Sequence, residues 1–437
     1  MKQENLKQMM KEKLPGKVFH LLENTGKIAE KEGYSAYLVG GMVRDLLLGV
    51  ENLDIDITVE GEGIAFAEKL AKRLSGRVQG KTRFGTAVVT FPGRLKVDVA
   101  TARSEYYEHP AALPEVRSSS LREDQFRRDF TINAMSIRLN PEDFGILIDF
   151  FGGRKDLEKR IIRALHKGSF LDDPTRIFRA VRFAERYRFK IEKRTETLIK
   201  KAVKLAMFDE LTIERLRDEL VLIFSEKKPL RAIEKMAELH ELKFIHPRIR
   251  FNKGLKKLLA GVEETLIWFK DSFPNEKMIP WLIYFAALLD QLTPKEVKTT
   301  CRRFHLSRKN EEKIIKGRKG VAKRLKELSK KEELKPSRIY RQLEDLPLET
   351  LLLLMARTEK VARERIVFYL NELRQIKSKV SGKELLELGL KPGPQFARIL
   401  KNLLYARLDG RVRTKRDEMK YVKKYLDNLT RTGQTVN

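Results

Sequence analysis

The sequence predicts an α+β amino-terminal portion, a mixed sheet with helices, followed by a remainder that is helical throughout. Three observations carry this reading. Several short segments before residue 150 alternate apolar and polar residues with period two, as half-buried strands do. Stretches of helical spacing lie between them. After about Asp156 the alternation disappears, and Pro229, Pro247, Pro274, Pro280, Pro294, Pro336 and Pro347 punctuate a series of helical segments. With 437 residues, the chain exceeds one ordinary core and calls for two to four domains.

Taken in order, residues 35–39 read as a short apolar strand and residues 42–48 as a helical turn or two. Residues 54–59 and 95–100 alternate strictly, while residues 63–74 have helical spacing. Residues 86–91, rich in Val and Thr, add a strand, and 136–139 and 146–149 complete the set. Residues 103–127 carry His109-Pro110, Pro114 and Ser118-Ser119-Ser120 without periodicity, and read as one long irregular loop. No internal repeat of fixed period is present.

Composition narrows the function classes. Hydrophobic residues make up 42% and charged residues 35% of the chain, with 91 Lys and Arg against 61 acids and a net charge of +30. Self-repulsion on that scale points to a polyanionic partner, nucleic acid or an anionic membrane. No apolar run reaches the ~20 residues of a bilayer span. The first 13 residues lack the apolar stretch of a signal peptide. The expectation is a cytoplasmic protein with no membrane partner. A single cysteine, Cys301, excludes an intrachain disulfide and a Cys-ligated zinc site, and the six histidines show no ligand spacing. The basic run from Arg302 to Arg338 reads equally well as a solvated helical face and as a phosphate-tracking surface.

The informative segment is Leu38-Val39-Gly40-Gly41-Met42-Val43-Arg44-Asp45, followed by Asp54-Ile55-Asp56. Asp54 and Asp56, two apart on a strand, leave the same face, with Ile55, Ile57 and Val59 on the other. Asp98, alternating with Val97 and Val99, could join them across the sheet. Carboxylates gathered this way repel one another unless a divalent cation neutralises them. Hard oxygen donors with positions left for phosphate suit Mg²⁺. Such an arrangement activates an attacking hydroxyl and holds a triphosphate for in-line transfer. Gly40 and Gly41 sit where a strand gives way to a helix, so backbone N–H groups can approach phosphate there, and Arg44 lies one turn further on. The plainer alternative is a tight turn beside a solvated acidic strand.

Together, Val39 to Gly49 and Asp54-x-Asp56 resemble the first motif of class II tRNA nucleotidyltransferases, members of the DNA polymerase beta-like superfamily. Arg127-Arg128-Asp129-Phe130-Thr131-Ile132-Asn133-Ala134-Met135 resembles the second motif, and Gly152-Gly153-x-x-Asp156-Leu157 through Ile162-Arg163 the third. The resemblance runs from about residue 35 to 220. It implies a polymerase beta-like head over residues 1–150, a helical neck over 151–220 that recognises the base, a helical body over 221–340 and a tRNA-binding tail over 341–437. It further implies a Mg²⁺-dependent transfer from CTP and ATP to a tRNA 3′ end. In that reading Asp54, Asp56 and Asp98 are catalytic, with Asp54 and Asp56 holding the metal. Gly40, Gly41, Arg44, Arg128, Asp129, Asp173, Arg176, Arg179 and Arg182 bind nucleotide.

Several of these residues have a second use open to them. Arg128 offers a cation for phosphate and Asp129 an acceptor for a ribose 2′-hydroxyl, but the two could equally lock the Phe130 turn as a buried ion pair. In Asp172-Asp173-Pro174-Thr175-Arg176, followed by Arg179 and Arg182, Asp173, Arg176 and Arg179 share one helical face. Cytosine and adenine both present an amino donor beside a ring-nitrogen acceptor. A carboxylate and a guanidinium held side by side match that pattern and reject uracil and guanine. Asp173-Pro174 is also an ordinary helix cap with proline at the first position. Asp172 stands where the family usually has Glu. Arg182 could belong to a solvated basic stripe, and Glu214-Arg215-x-x-x-Glu219 reads as an ion-pair brace between helices.

Within the family, the length of residues 103–127 disfavours a CC-only enzyme. Gly80-Lys81-Thr82-Arg83-Phe84 lacks a clean poly(A) polymerase signature, and Lys391-Pro392-Gly393-Pro394 resembles the tail of bacterial CCA-adding enzymes. CCA addition is the leading expectation. The alternatives are an A-adding-only enzyme, a poly(A) polymerase, or a catalytically silent RNA-binding protein, the last opposed by the presence of both Asp54 and Asp56. The expected partners are tRNA, through its acceptor and TψC arm, with CTP and ATP; both a monomer and a homodimer are compatible with the sequence.

Overall fold

Alternation of buried Val, Ile and Ala with polar residues organises the first part of the chain around one sheet. The computed structural model describes residues 4–106, 108, 115–205, 207, 211–390 and 392–431. The chain divides into two compact units, Met1–Pro247 and Arg248–Asn437.

In the first unit, strands β1 (Ser35–Val39), β2 (Ile55–Glu60), β3 (Arg77–Gln79), β4 (Thr86–Thr90) and β5 (Lys96–Thr101) precede a short ribbon, β6 (Arg103–Tyr106) and β7 (Glu115–Ser118). Strands β8 (Ser136–Arg138) and β9 (Leu147–Ile148) then complete the main sheet. Its order is β3-β4-β5-β2-β1-β8-β9, with β2 and β5 parallel and the other neighbours antiparallel. The period-two pattern explains the faces: Ile55, Ile57, Val97 and Val99 are buried, while Asp56 and Asp98 point to the other side. The parallel register sets Ile55 opposite Val97 and Asp56 opposite Asp98, so both apolar and acidic residues pair with their like.

Helices α1 (Lys7–Lys13), α2 (Gly16–Lys31), α3 (Gly41–Leu48) and α4 (Gly63–Arg73) interleave with these strands. Amphipathic α2 lays Val18, Leu22 and Ala29 against the sheet. Its approach is close enough that a Cβ on Gly26 would sit 1.7 Å from the Leu139 carbonyl oxygen. Then follow α5 (Leu121–Phe126), α6 (Gly153–Glu158), α7 (Ser169–Asp172), α8 (Thr175–Tyr187), α9 (Lys193–Lys204), α10 (Ile213–Phe224) and α11 (Pro229–Glu238). Helix α8 buries Ile177, Phe178, Val181 and Ala184 and packs against α10 and α11.

Two sequence expectations need correction. Residues 103–127 are not one irregular loop: β6 and β7 pair antiparallel, Arg103 with Ser118 through Tyr106 with Glu115, and α5 follows with Ser120 accepting from the Glu123 N–H as its cap. Charged residues on both faces hide the period-two signal there, because neither face meets a core. His109, Pro110 and Pro114 lie outside the described residues, as does Lys391 of the tail motif. Strand structure also persists beyond Asp156, where β10 (Ile161–Ile162) pairs parallel with β11 (Lys190–Ile191). Two residues are too few to show periodicity.

The second unit, from Arg248 onward, is helical among its described residues, from Lys253–Ser272 to Lys415–Arg431. Its carboxy-terminal part has a hydrophobic cluster of its own that includes Val380, Leu385, Leu403 and Val422. No helix among the described residues is long and apolar enough to cross a membrane.

Candidate active site

The strand–turn–helix β1–Gly40–α3 forms one wall of a cavity of about 1170 Å³ within the first unit. Gly40 has φ +72, a left-handed backbone that favours glycine. A Cβ there would stand 3.1 Å from Arg128 Nη1 and 3.6 Å from Asp56 Oδ2, so the turn brings backbone, guanidinium and carboxylate together without a side chain between them. Gly41 opens α3 and lines the same space.

Asp54 sits one residue before β2, Asp56 within it and Asp98 on the adjacent strand. One carboxylate oxygen from each lies within 4.8 Å of the others. Burial, with the charges of Asp54 and Asp98, pushes the Asp56 carboxyl up from 3.8 to about 6, against the opposing pull of Arg128. Burial and Asp54 also raise Asp98. Three oxygen donors crowded and short of positive charge fit a hard divalent cation, which would relieve the repulsion that raises these values.

Arg128 is held from behind. Its Nη2 donates to Asp124 at 2.9 Å and Nε at 3.3 Å, leaving Nη1 directed toward the Gly40 turn and Asp56. Asp124 is buried, which disfavours its charge, yet Arg128 and Arg127 outweigh that penalty and lower its pKa. Asp129 is more heavily engaged. Oδ1 accepts from the Phe130 N–H at 2.8 Å and from Asn133 Nδ2 at 2.9 Å, and Oδ2 accepts from Arg179 Nη2 at 2.7 Å. Arg179, which also approaches Glu219 at 3.6 Å, is raised in pKa chiefly by Asp129. The ion-pair alternative for Asp129 is therefore realised in geometry, with Arg179 rather than Arg128 as partner.

Arg44 is buried on the cavity wall. Nε and Nη2 donate to Asp45 at 2.8 Å, Nη1 donates to Asn133 at 2.5 Å, and the guanidinium stacks over Tyr187 at 4.7 Å. Every nitrogen has a protein acceptor, so Arg44 holds the wall in shape. Tyr187, whose hydroxyl donates to Asp45 at 3.0 Å, completes it.

Across the cavity, Asp173 precedes α8 and Arg176 lies in its first turn. Asp173 Oδ1 accepts from the Thr175 N–H at 3.0 Å, from the Thr175 hydroxyl at 2.6 Å and from Arg215 at 2.9 Å. Capping and cavity exposure coexist, because these contacts fall on one oxygen and leave Oδ2 unbonded among the described residues. Arg176 is buried, with Nη1 donating to Ser169 Oγ at 2.8 Å and Nη2 to the Arg127 carbonyl at 2.6 Å. The pair is thus rigidly positioned. Arg182 is different: it is buried against Glu219 at 3.4 Å and does not line the cavity. It is no part of a solvated stripe.

Sequence reasoning overlooked several lining residues. Arg215, read as part of a brace, does brace Asp173 but also faces the cavity. Lys228 and Arg231, at the start of α11, and Arg186 and Arg188, at the end of α8, add positive charge to the same space. Nothing local marks them, since isolated cations on helix ends are ordinary.

Comparisons with known proteins agree with this geometry. Residues 36–163 match the poly A polymerase head domain, residues 188–252 the probable RNA- and SrmB-binding site of polymerase A, and residues 281–421 tRNA nucleotidyltransferase domain 2. An A-adding tRNA nucleotidyltransferase of Geobacter sulfurreducens is 43% identical over 96% of this chain, which spans 48% of that relative's length. The A-adding tRNA nucleotidyltransferase of Halalkalibacterium halodurans is 31% identical, covering 97% of this chain and 96% of its own. The Thermotoga maritima CCA-adding enzyme, solved in complex with tRNA, superposes with a TM-score of 0.83 at 33% identity over 98% of this chain and 100% of that one. With head, RNA-binding and second-domain models all matched in order, and full-length relatives at this identity, the chain belongs to the tRNA nucleotidyltransferase and poly(A) polymerase family.

Proposed function

We propose that the chain extends the 3′ end of tRNA without a template, using CTP and ATP. The observation that carries this is the cavity itself: a carboxylate cluster and a phosphate-accepting glycine turn on one side, a rigid Asp173–Arg176 pair on the other. In this reading Asp54 and Asp56 would hold Mg²⁺, which would supply charge neutralisation for the triphosphate and activation of the attacking hydroxyl, with Asp98 beside them on the adjacent strand. The N–H groups of Gly40 and Gly41 and the Nη1 of Arg128 receive phosphate oxygens. Arg44, Asp129, Arg179 and Arg182 act behind them, setting the wall, the Phe130 turn and the pitch of α8. The 3′-oxygen of the tRNA bonds to the α-phosphorus as the α–β bridge breaks. Pyrophosphate leaves with the electron pair, and the hydroxyl proton passes to Asp98.

Asp173 accepts from the amino group of cytosine or adenine through Oδ2, and Arg176 lies beside it for the ring nitrogen. Functionally we divide the chain as head 1–150, neck 151–220, body 221–340 and tail 341–437, the basic body and tail holding the acceptor and TψC arm in a cytoplasmic enzyme. A-only addition is the second reading, favoured by the names of the Geobacter and Halalkalibacterium relatives. AMP transfer to tRNA ending in CC is common to both readings; CMP transfer separates them. Incubation with tRNA transcripts ending before CCA, after C and after CC, with each nucleotide alone, decides. CTP use on the first two supports full CCA addition, and ATP use on the third alone supports A-only addition. No extension of any transcript overturns the proposal.

A further inference from the structure

Residues 50–53 join the two parts of the first motif, Val39 to Gly49 and Asp54-x-Asp56, and the resemblance gives them no role. They leave α3 at Gly49, whose backbone is left-handed at φ +69, and run along the surface to Asp54, with Val50 49% and Leu53 46% exposed. A segment that buries so little apolar surface has no core of its own to fix its course. Yet it delivers one carboxylate of the acidic cluster.

The three carboxylates are not held alike. Asp56 and Asp98 lie within β2 and β5, opposite each other in the ladder. Asp54 precedes β2, outside the paired residues, which begin with Ile55 opposite Val97. Its carboxylate makes no hydrogen bond or ion pair to any described residue, so it goes where the backbone puts it. Asn52 holds that backbone: the Asp54 N–H donates to Asn52 Oδ1 at 2.9 Å. The other end of the amide is clamped too, Nδ2 donating to Asp45 Oδ2 at 2.8 Å.

Asp45 is a fixed anchor. It is buried, and its carboxylate accepts from Arg44 Nε and Nη2 at 2.8 Å each and from the Tyr187 hydroxyl at 3.0 Å. Its carbonyl accepts from the Val50 N–H at 2.9 Å, so Asp45 grips the segment at both ends. The Asn52 amide also borders the glycine turn, 3.6 Å from where a Cβ on Gly41 would stand. An asparagine that merely closes a turn onto the second residue after it needs only its acceptor oxygen. Here the donor end is used as well, on a carboxylate with three other donors.

We infer that Asn52 is a positioning residue for the divalent cation, acting through Asp54: it ties the turn before β2 to the wall formed by α3 and α8, and so sets Asp54 against Asp56 and Asp98. This rests on the transfer reaction proposed above and adds what holds the carboxylate that the sheet does not.

The test compares wild type, Asn52→Ala, Asn52→Ser and Asp54→Ala as full chains. Mn²⁺ alone is titrated in and the free ion followed by electron paramagnetic resonance, the difference between wild type and Asp54→Ala defining binding at the cluster. Loss of a group that orients a metal ligand costs roughly 10–100-fold in affinity, so Asn52→Ala should weaken Mn²⁺ about tenfold. A serine hydroxyl still accepts from the Asp54 N–H, more weakly, and Asn52→Ser should recover part of the loss. In extension of tRNA ending in CC, the Mg²⁺ concentration giving half the maximal rate should rise with the Mn²⁺ dissociation constant, with KM for tRNA within twofold of wild type. Asp45 keeps three donors in both Asn52 variants, and a cooperative melt in chelator checks their folding. If the alanine variant does not fold, serine against wild type carries the same comparison. Mn²⁺ affinity in Asn52→Ala within twofold of wild type overturns the inference, as does a loss that serine does not relieve. A wild type that binds Mn²⁺ at the cluster but extends no tRNA overturns the proposed function, while the Mn²⁺ titration still decides the role of Asn52.

Discussion

Replacing Asp56 with Asn should stabilise the metal-free protein while abolishing its activity. The folded Asp56 carboxyl titrates near 6 and the unfolded one at 3.8, because burial and the neighbouring Asp54 and Asp98 oppose its charge. Between those two values the native state binds the extra proton, so stability falls as pH rises through the window and the whole penalty is present above it. At ~1.4 kcal/mol per tenfold change in acidity, the penalty is roughly 3 kcal/mol as an upper bound, since Asp56 keeps some contact with water. For a unit of this size each kcal/mol moves the melting temperature by ~2–4 °C, so Asp56→Asn should melt several degrees above wild type. The assay is thermal unfolding at pH 7.5 with a chelator, repeated at pH 5, where the gap should narrow. Added Mg²⁺ should raise wild type far more than the variant. Asp54→Asn, on an exposed carboxylate, should gain less. An Asp56→Asn melting point at or below wild type in the chelator would refute the electrostatic reasoning.

Asp173→Asn keeps a capping oxygen for Thr175 but puts an amide where a carboxylate faces the cavity. Incorporation of CTP and ATP should fall, with UTP and GTP gaining relative to them, in kcat/KM measured for all four nucleotides; a uniform fall would mark Asp173 as structural only. Arg179→Met leaves Asp129 buried without its charged partner and should cost about 2–4 kcal/mol of unfolding free energy in denaturant titration, with less loss at low pH, where Asp129 is protonated. Gly26→Ala drives a methyl group into the Leu139 carbonyl and should destabilise the first unit by at least ~2 kcal/mol, whereas Gly16→Ala, with open space around it, should be near neutral.

Much of this molecule was legible in one dimension. Strands β1, β2, β4 and β5 declare themselves by period two, which is also what aligns Asp54, Asp56 and Asp98 once the register pairs Asp56 with Asp98. The turn at Gly40 is readable because a strand must end and a helix begin there. Sequence alone therefore determined these strands, the acidic cluster and the predominantly helical character of the rest, but not the edge strand β3 or the short β10–β11 pair. Tertiary structure decided which partner each side chain takes. Asp129 pairs with Arg179, fifty residues away, and not with adjacent Arg128, because α8 packs across the Phe130 turn. Arg182, on the strongly basic α8, turns inward to Glu219, while Arg215, on α10 with its mixed charges, turns toward Asp173. The ribbon of β6 and β7 was invisible because strand pairing without a buried face leaves no alternation in the sequence.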